Sequence, residues 1–239
     1  VSALKKSMQC HICVKESKDE TDVTNLMMCT LEMPNYENKG DLSGHVDIQW
    51  YRSCNTEMLA IENACGVNYL LCADDIGSMI QVSVTSKANK DVTERSTMIG
   101  PIQINKKSSK TIHEHLERMA KHDIEFTLTP DPSTMALLST HLQKSKTVVL
   151  HLNRQKVKIR NSKNTTIQKE SYNTGMKLKI HASGDDTTNG KASLEAIPAP
   201  FTIWLKQGPQ AYKFLAKTTF ERDILAILLR TYCHQLQVA

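Results

Sequence analysis

Strict alternation of apolar and polar residues over short runs constrains this chain most. Val46, Ile48 and Trp50 occupy every second position of Val46-Asp-Ile-Gln-Trp-Tyr51, and Ile80, Val82 and Val84 do the same in Ile80-Gln-Val-Ser-Val-Thr85. A period of two puts each trio on one face of a half-buried strand. Met8–Val14 and Leu26–Leu31 are further β-rich runs, and Ile99–Ile104 reads as a closing strand. Turn signals separate them at Asn38-Lys-Gly40, Ser43-Gly44 and Asp74-Asp-Ile-Gly77. Short strands at this spacing with no helical pattern predict an antiparallel sandwich over residues 1–105.

Residues 106–239 follow a different pattern. Lys106–Lys110 reads as a basic linker, followed by a short amphipathic helix carrying Ile112, Leu116 and Met119. Ile124–Leu128 alternates as a strand and is broken by Pro130 and Pro132, after which Met135, Leu138 and Leu142 can line a second helix. Thr147–Leu152 and Lys156–Arg160 are strands joined by a tight turn at Asn153-Arg-Gln155. Met176–Ile180, Phe201–Leu205 and Ala211–Leu215 continue the meander, with Gln207-Gly-Pro-Gln210 as a turn. Thr218 is an N-cap with Glu221 three residues on, the capping-box spacing. Ile224, Leu225, Leu228 and Tyr232 then make one stripe, so a terminal amphipathic helix is predicted over 219–236. The fold class is mainly β, with a C-terminal helix closing the second domain.

Charge divides at the same boundary. Residues 1–105 hold 9 Lys+Arg against 14 Asp+Glu, a balance of −5; residues 106–239 hold 21 against 11, a balance of +10. An acidic half followed by a basic half predicts an anionic partner for the second. The plainer reading is that Lys keeps that domain in solution. The longest apolar run, Ile224–Leu229, is far short of the roughly 18 residues of a membrane span. Lys5-Lys6 is followed by Ser-Met-Gln-Cys, so no secretory signal is expected. With Val1 in place of Met, the sequence is expected to be a piece of a longer chain, part of a larger assembly. Seven cysteines (10, 13, 29, 54, 65, 72 and 233) are an odd set. They are expected to be free, buried thiols of a cytoplasmic protein.

Trp50-Tyr-Arg52 on a strand, then Tyr69-Leu-Leu and Asp74-Asp-Ile-Gly77 before another, resembles an immunoglobulin-like domain. Where extracellular relatives have Asp-x-Gly-x-Tyr-x-Cys, this chain has Asp75, Gly77, Met79 and Gln81. The inter-sheet disulfide is thus absent, although Cys29 stands where its first half would. The strings Ile48-Gln-Trp-Tyr-Arg-Ser, Tyr69-Leu-Leu-Cys-Ala-Asp-Asp-Ile-Gly, Ile80-Gln-Val-Ser-Val-Thr and Gly100-Pro-Ile resemble the intracellular repeat of the auxin-induced-in-root-cultures microtubule-associated proteins. Val149–Arg160, Phe201-Thr-Ile-Trp-Leu and Glu221–Arg230 resemble the domain after the last repeat, which is similar to a pleckstrin-homology fold: a seven-stranded bent sheet capped by a C-terminal helix. The resemblance covers about residues 20–236. It implies the end of a large cytoskeletal protein of plants and flagellated protists, bound to microtubules or the flagellar axoneme.

The chemistry-bearing motifs are weak as reaction centres. Cys10-His-Ile-Cys13 lacks a second ligand pair and spans opposite strand faces, so no metal is expected. His113-Glu-His115 spaces its imidazoles apart around a helix and reads as solvated. Asp74-Asp75 suits a turn. No nucleophile–base set, phosphate loop or dinucleotide fingerprint is present, so neither catalytic residues nor a cofactor is expected.

The cations are the candidate binding group. With Val157 and Ile159 inward, Arg154, Lys156, Lys158 and Arg160 form an outward ladder, which Lys177 and Lys179 extend from the Met176–Ile180 strand. Three readings stand: an acidic protein surface such as tubulin, an anionic lipid headgroup, or a solvated strand edge blunted by Lys. Lys158-Ile-Arg160 is also similar to the basic strand of phosphoinositide-binding pleckstrin-homology domains. Nucleic acid is not expected, because no stacking aromatics accompany the ladder. The expectation is a non-enzymatic cytoskeletal docking module, with phosphoinositide-dependent membrane recruitment as the alternative.

Overall fold

A computed structural model describes residues 8–16, 23–36, 42, 44–142, 146–181, 199–206 and 210–238. The expected turns at Asn38–Gly40 and Ser43 lie outside these residues, as do positions 207–209 of the Gln207–Gln210 turn. The described chain is mainly β and forms two compact units that divide between Asn105 and Lys106.

The first unit has seven strands: β1 (His11–Glu16), β2 (Leu26–Glu32), β3 (Val46–Cys54), β4 (Glu57–Ala60), β5 (Asn68–Leu70), β6 (Ile80–Ser86) and β7 (Thr93–Arg95). They make two antiparallel sheets, ordered β1-β2-β5 and β4-β3-β6-β7. Alternation places the core. Val46, Ile48 and Trp50 of β3 meet Ile80, Val82 and Val84 of β6, and across the sandwich they meet Cys29, Leu31 and Tyr69. Trp50 is fully buried, and its indole N–H donates to the Gly66 carbonyl at 2.8 Å. Its ring stacks on Tyr69 with centroids 5.7 Å apart. Burying one such side chain contributes roughly 1.5–3 kcal/mol, so this layer holds the sheets together.

Ile99–Ile104 closes the unit by bridges rather than by a regular strand. Ile99 pairs with Ile80, Ile102 with Ile76 and Ile104 with Thr24. Pro101, whose bond to Gly100 is cis, has no N–H to donate to a ladder.

The second unit opens with α1 (Lys106–Met119), followed by β8 (Ile124–Pro130) and α2 (Pro132–Leu142). The expected linker at Lys106–Lys110 is therefore the first turns of a helix. Lysine is a good helix former, and Ser108 is already fully buried there, so helix and packing begin before the first apolar stripe residue, Ile112. Then come β9 (Val148–Leu152), β10 (Lys156–Arg160), β11 (Thr166–Ser171), β12 (Lys177–Ile180), β13 (Ala199–Trp204), β14 (Tyr212–Ala216) and α3 (Thr219–Val238).

The seven strands form one curled antiparallel half-barrel ordered β11-β10-β9-β8-β14-β13-β12. The first strand, β8, is central. It pairs with β9 on one side, and through Thr129↔Leu215 and Pro130↔Phe214 with β14 on the other. The inner face carries Phe126, Leu150, Ile159, Phe201, Ile203 and Phe214. Against it packs α3, which touches β12, β13, β14 and α1. Thr218 accepts the Glu221 N–H at 3.1 Å and caps this helix, while Ile224, Leu225, Leu228 and Leu229 are buried. Among the described residues, no helix is long and apolar enough to cross a membrane.

Candidate functional site

The six cations of the sequence analysis fall in two places. Arg154, Lys156, Lys158 and Arg160 belong to the β9–β10 hairpin, whose turn is set by Asn153: its side-chain oxygen accepts the N–H groups of Gln155 and Lys156 at 2.9 and 3.0 Å. Lys177 and Lys179 stand on β12, at the other end of the sheet order, with four strands between it and β10. They do not extend the ladder as a neighbouring strand. The alternation that predicts their outward direction holds, with Leu178 and Ile180 buried between and after them, but alternation carries no information on strand order.

On β10 the outward row is real in geometry and partly spent in charge. Val157 and Ile159 are fully buried, and Lys156, Lys158 and Arg160 share the opposite face. Lys158 faces His151 on β9 and Lys169 on β11, and His151 in turn faces Glu125 on β8. Two lysines directly opposite each other repel. Asp123 offsets this: its Oδ2 accepts from Lys158 Nζ at 2.8 Å, and its Oδ1 from the Asn153 side chain at 2.8 Å. Burial pushes the Asp123 carboxyl up, but the bonds from Lys158 and Asn153 outweigh it and hold the group below its ordinary value. Arg160 donates to the Asn164 side chain at 2.9 Å. Arg154 lies in the turn, exposed, with its backbone N–H bonded to the Met119 carbonyl. Lys156 is half-buried and in no ion pair among the described residues. The cations left to meet a partner here are therefore Arg154, Lys156 and Arg160.

Buried His151, on β9, sits beside this row on the same face of the sheet. Its Nδ1 is 3.3 Å from Glu125 and 3.8 Å from Asp123, yet out of line for a hydrogen bond with either. Burial pushes its imidazole down, and the nearby Arg160 adds to that; Glu125 and Asp123 oppose.

The second place is concave. A cleft of about 420 Å³ opens between β12, β13 and α3. Lys177, Leu178 and Lys179 form one side, Trp204 the floor strand, and Leu229 and Arg230 the helix side. Arg230 donates to the backbone carbonyl of Leu178 at 3.1 Å, joining the helix to the sheet's last strand. Trp204, Arg230 and the cleft itself escaped the sequence analysis. The available signal was Arg230, the cation that ends the apolar run of the terminal helix.

The remaining motifs lie apart from both places. Cys10 is buried and Cys13 exposed, and among the described residues no group of three or more His, Cys, Asp or Glu is placed to hold a metal. Not all the thiols are buried: Cys13, Cys54 and Cys65 are exposed, because sheet edges and turns carry them. His113 is solvated beside Glu117, but His115 is half-buried with its Nδ1 hidden, because the helix face it occupies packs inward. Asp75 is no simple turn residue. It is fully buried and accepts from Arg52 Nε, the Tyr69 hydroxyl and the Cys72 N–H at 2.8, 2.9 and 2.8 Å.

Compared with known proteins, the chain matches no protein-family model, and no curated protein is significantly similar to it.

Proposed function

We propose that this chain is a non-enzymatic docking module of the cytoskeleton, an immunoglobulin-like sandwich followed by a pleckstrin-homology-like domain that presents cations to an acidic protein surface of microtubules or the axoneme. The observation that carries this reading is the outward row on β10, where Lys156, Lys158 and Arg160 stand together with Val157 and Ile159 buried behind them. Dense like charge costs stability unless an anion meets it, and only Lys158 has an acidic partner there among the described residues. Two further features support the family resemblance. A fully buried Trp50 lies between two antiparallel sheets, and a seven-stranded sheet is packed against a terminal helix.

The test is co-sedimentation with microtubules across a salt series. Lys156→Glu is the informative variant, because Lys158→Glu would also set two carboxylates against each other at Asp123. The variant should pellet several-fold less well and show a shallower salt dependence, with the unfolding midpoint unchanged. Pelleting with phosphatidylinositol phosphate vesicles instead of microtubules would replace this reading with membrane recruitment.

A further inference from the structure

Lys169 on β11 completes the cationic face that the β10 row begins. It is exposed, it stands directly opposite Lys158, and it is in no ion pair among the described residues. Its neighbour in the chain, Glu170, is opposite Val157 on the inward face and meets Lys206 at 3.4 Å. Asp123 is spent on Lys158. Lys156 likewise has no ion pair among the described residues. Arg160 donates to the neutral Asn164 side chain, and its Nε has no partner. Three cations without an acid thus surround one that is neutralised. β11 and the residues on both sides of it are described without a break from 146 to 181.

The backbone pattern fixes the spacing of these charges. Tyr172 donates to the Gln155 carbonyl, and on the β9 side Asn153 donates to the Lys156 carbonyl. Bonded and non-bonded pairs alternate along an antiparallel ladder, so Val157 and Glu170 exchange bonds and Lys158 and Lys169 do not. Non-bonded pairs have the closer side chains, with Cα atoms about 4.5 Å apart. Along β10, Lys156, Lys158 and Arg160 follow one another at roughly 7 Å, so the row runs roughly 14 Å. An extended chain with acids at every second position repeats that spacing on one face. A helix does not: seven residues on, its rise is only about 10.5 Å, and the eighth residue has turned about 80° off the face. A planar bilayer meets exposed Lys169 but reaches half-buried Lys156 and Arg160 incompletely, whereas a single chain can follow the row.

We propose that the outward face of β10 and β11 binds an extended segment of a partner protein with acidic residues at every second position, and that Lys169 is its central contact. The segment runs along β10. Its outer carboxylates meet Lys156 and Arg160. Its middle carboxylate meets Lys169, because Lys158 at the same level already has Asp123. This deepens the docking reading, on which it rests for the acidic character of the partner. It turns a row on one strand into a patch on two, and it gives the partner a conformation and a spacing.

The experiment uses the 239-residue chain and two fluorescent peptides of equal composition, one with glutamate and serine alternating and one with its glutamates in a single block. The wild-type chain should bind the alternating peptide several-fold more tightly than the blocked one. Amide resonances of Lys156, Arg160 and Lys169 should move in that titration. Lys169→Glu should weaken binding about fivefold or more, and Lys169→Arg should retain it. The Glu variant gives Lys158 an acidic neighbour, so its thermal midpoint should not fall. Lys217→Glu makes the same charge change on an exposed residue between β14 and α3 and should leave binding unchanged. Equal affinity of Lys169→Glu and wild type overturns the proposal, as does equal affinity for the two peptides. So does self-association of the chain, or binding to phosphatidylserine vesicles, without binding of the peptide. Peptide binding by a chain that fails to pellet with microtubules keeps this face and removes the cytoskeletal reading. Pelleting that Lys156→Glu weakens and Lys169→Glu leaves intact does the reverse.

Discussion

Arg52 and Asp75 lie 23 residues apart in the chain and meet at 2.8 Å, guanidinium Nε to carboxylate Oδ1, with Asp75 fully buried. The Arg52 guanidinium also reaches the Tyr69 hydroxyl at 3.0 Å, which itself donates to Asp75, so three residues from β3, β5 and the turn before β6 close a ring. Burial pushes the Asp75 carboxyl up; Arg52 and the donors from Cys72 and Tyr69 work against it. Removing the acid leaves the buried Tyr69 phenol without its acceptor and the partly exposed Arg52 with only Asp74, 3.4 Å away, as an anionic partner. Asp75→Ala should therefore destabilise the first unit by about 3 kcal/mol, seen as a lower denaturant midpoint at unchanged slope. A loss under about 1 kcal/mol would mean that solvent already serves Arg52.

Two glycines near this ring separate backbone strain from crowding. Gly77 has φ +82° with nothing within 4 Å of the position a Cβ would take. Gly100 has φ +124°, and there a Cβ would come within 2.7 Å of the Ser78 carbonyl oxygen. Gly77→Ala should cost roughly 1–2 kcal/mol from conformation alone. Gly100→Ala should cost distinctly more, because backbone has to move as well. Thermal midpoints of the two variants measured side by side decide this, and equal shifts would contradict it.

The behaviour of the second unit in acid should be set in part by His151, beside the half-buried His115, whose imidazole burial also pushes down. Its imidazole is held down in the folded state, mainly by burial and then by Arg160, while Glu125 and Asp123 pull up and Lys158 pushes down. A histidine with a lowered folded value contributes stability that is present above its ordinary pKa of about 6.5 and is lost as pH falls through the folded value. The melting temperature of this unit should drop between about pH 7 and pH 5, and His151→Leu should make that limb shallower. A variant with the same slope as wild type would assign the limb to another group.

Lys158 and Lys156 should part company at lower pH. Asp123 is held below its ordinary value, so its contribution is present above about pH 4 and disappears as pH falls further. Lys158→Met should remove up to about 1 kcal/mol at neutral pH, since both groups are partly exposed, and nothing near pH 2. Lys156→Met should leave the acid limb where it is. Urea titrations across pH would expose any reversal of the two.

Periodicity carried much of the fold and little of the site. Val46, Ile48, Trp50 and Ile80, Val82, Val84 gave β3 and β6 their faces, and Thr218 marked the start of α3, because each signal lies within a few residues. β11 escaped because Thr166-Ile-Gln-Lys-Glu-Ser171 is an edge strand with no fully buried position, so no alternation is imposed on it. β4 and β7 are short edges with the same problem. The partners of charges escaped for a different reason. Lys158 and Asp123 are 35 residues apart, and only strand order brings them together. The placement of Lys177 and Lys179 failed on the same point, since a face can be read from alternation and a neighbour cannot.

The position of β8 between β9 and β14 has a consequence for synthesis. β8 takes one flank from the β9 strand that soon follows it, with Phe126 opposite Leu150 and Leu128 opposite Val148, and the other, at Thr129 and Pro130, from Leu215 and Phe214, more than eighty positions downstream. A nascent chain halted after β11 would carry a four-strand fragment whose oldest strand has one bare side. Ribosome-arrested chains should resist protease up to β11 only weakly, and gain full protection in one step once β14 and α3 have emerged.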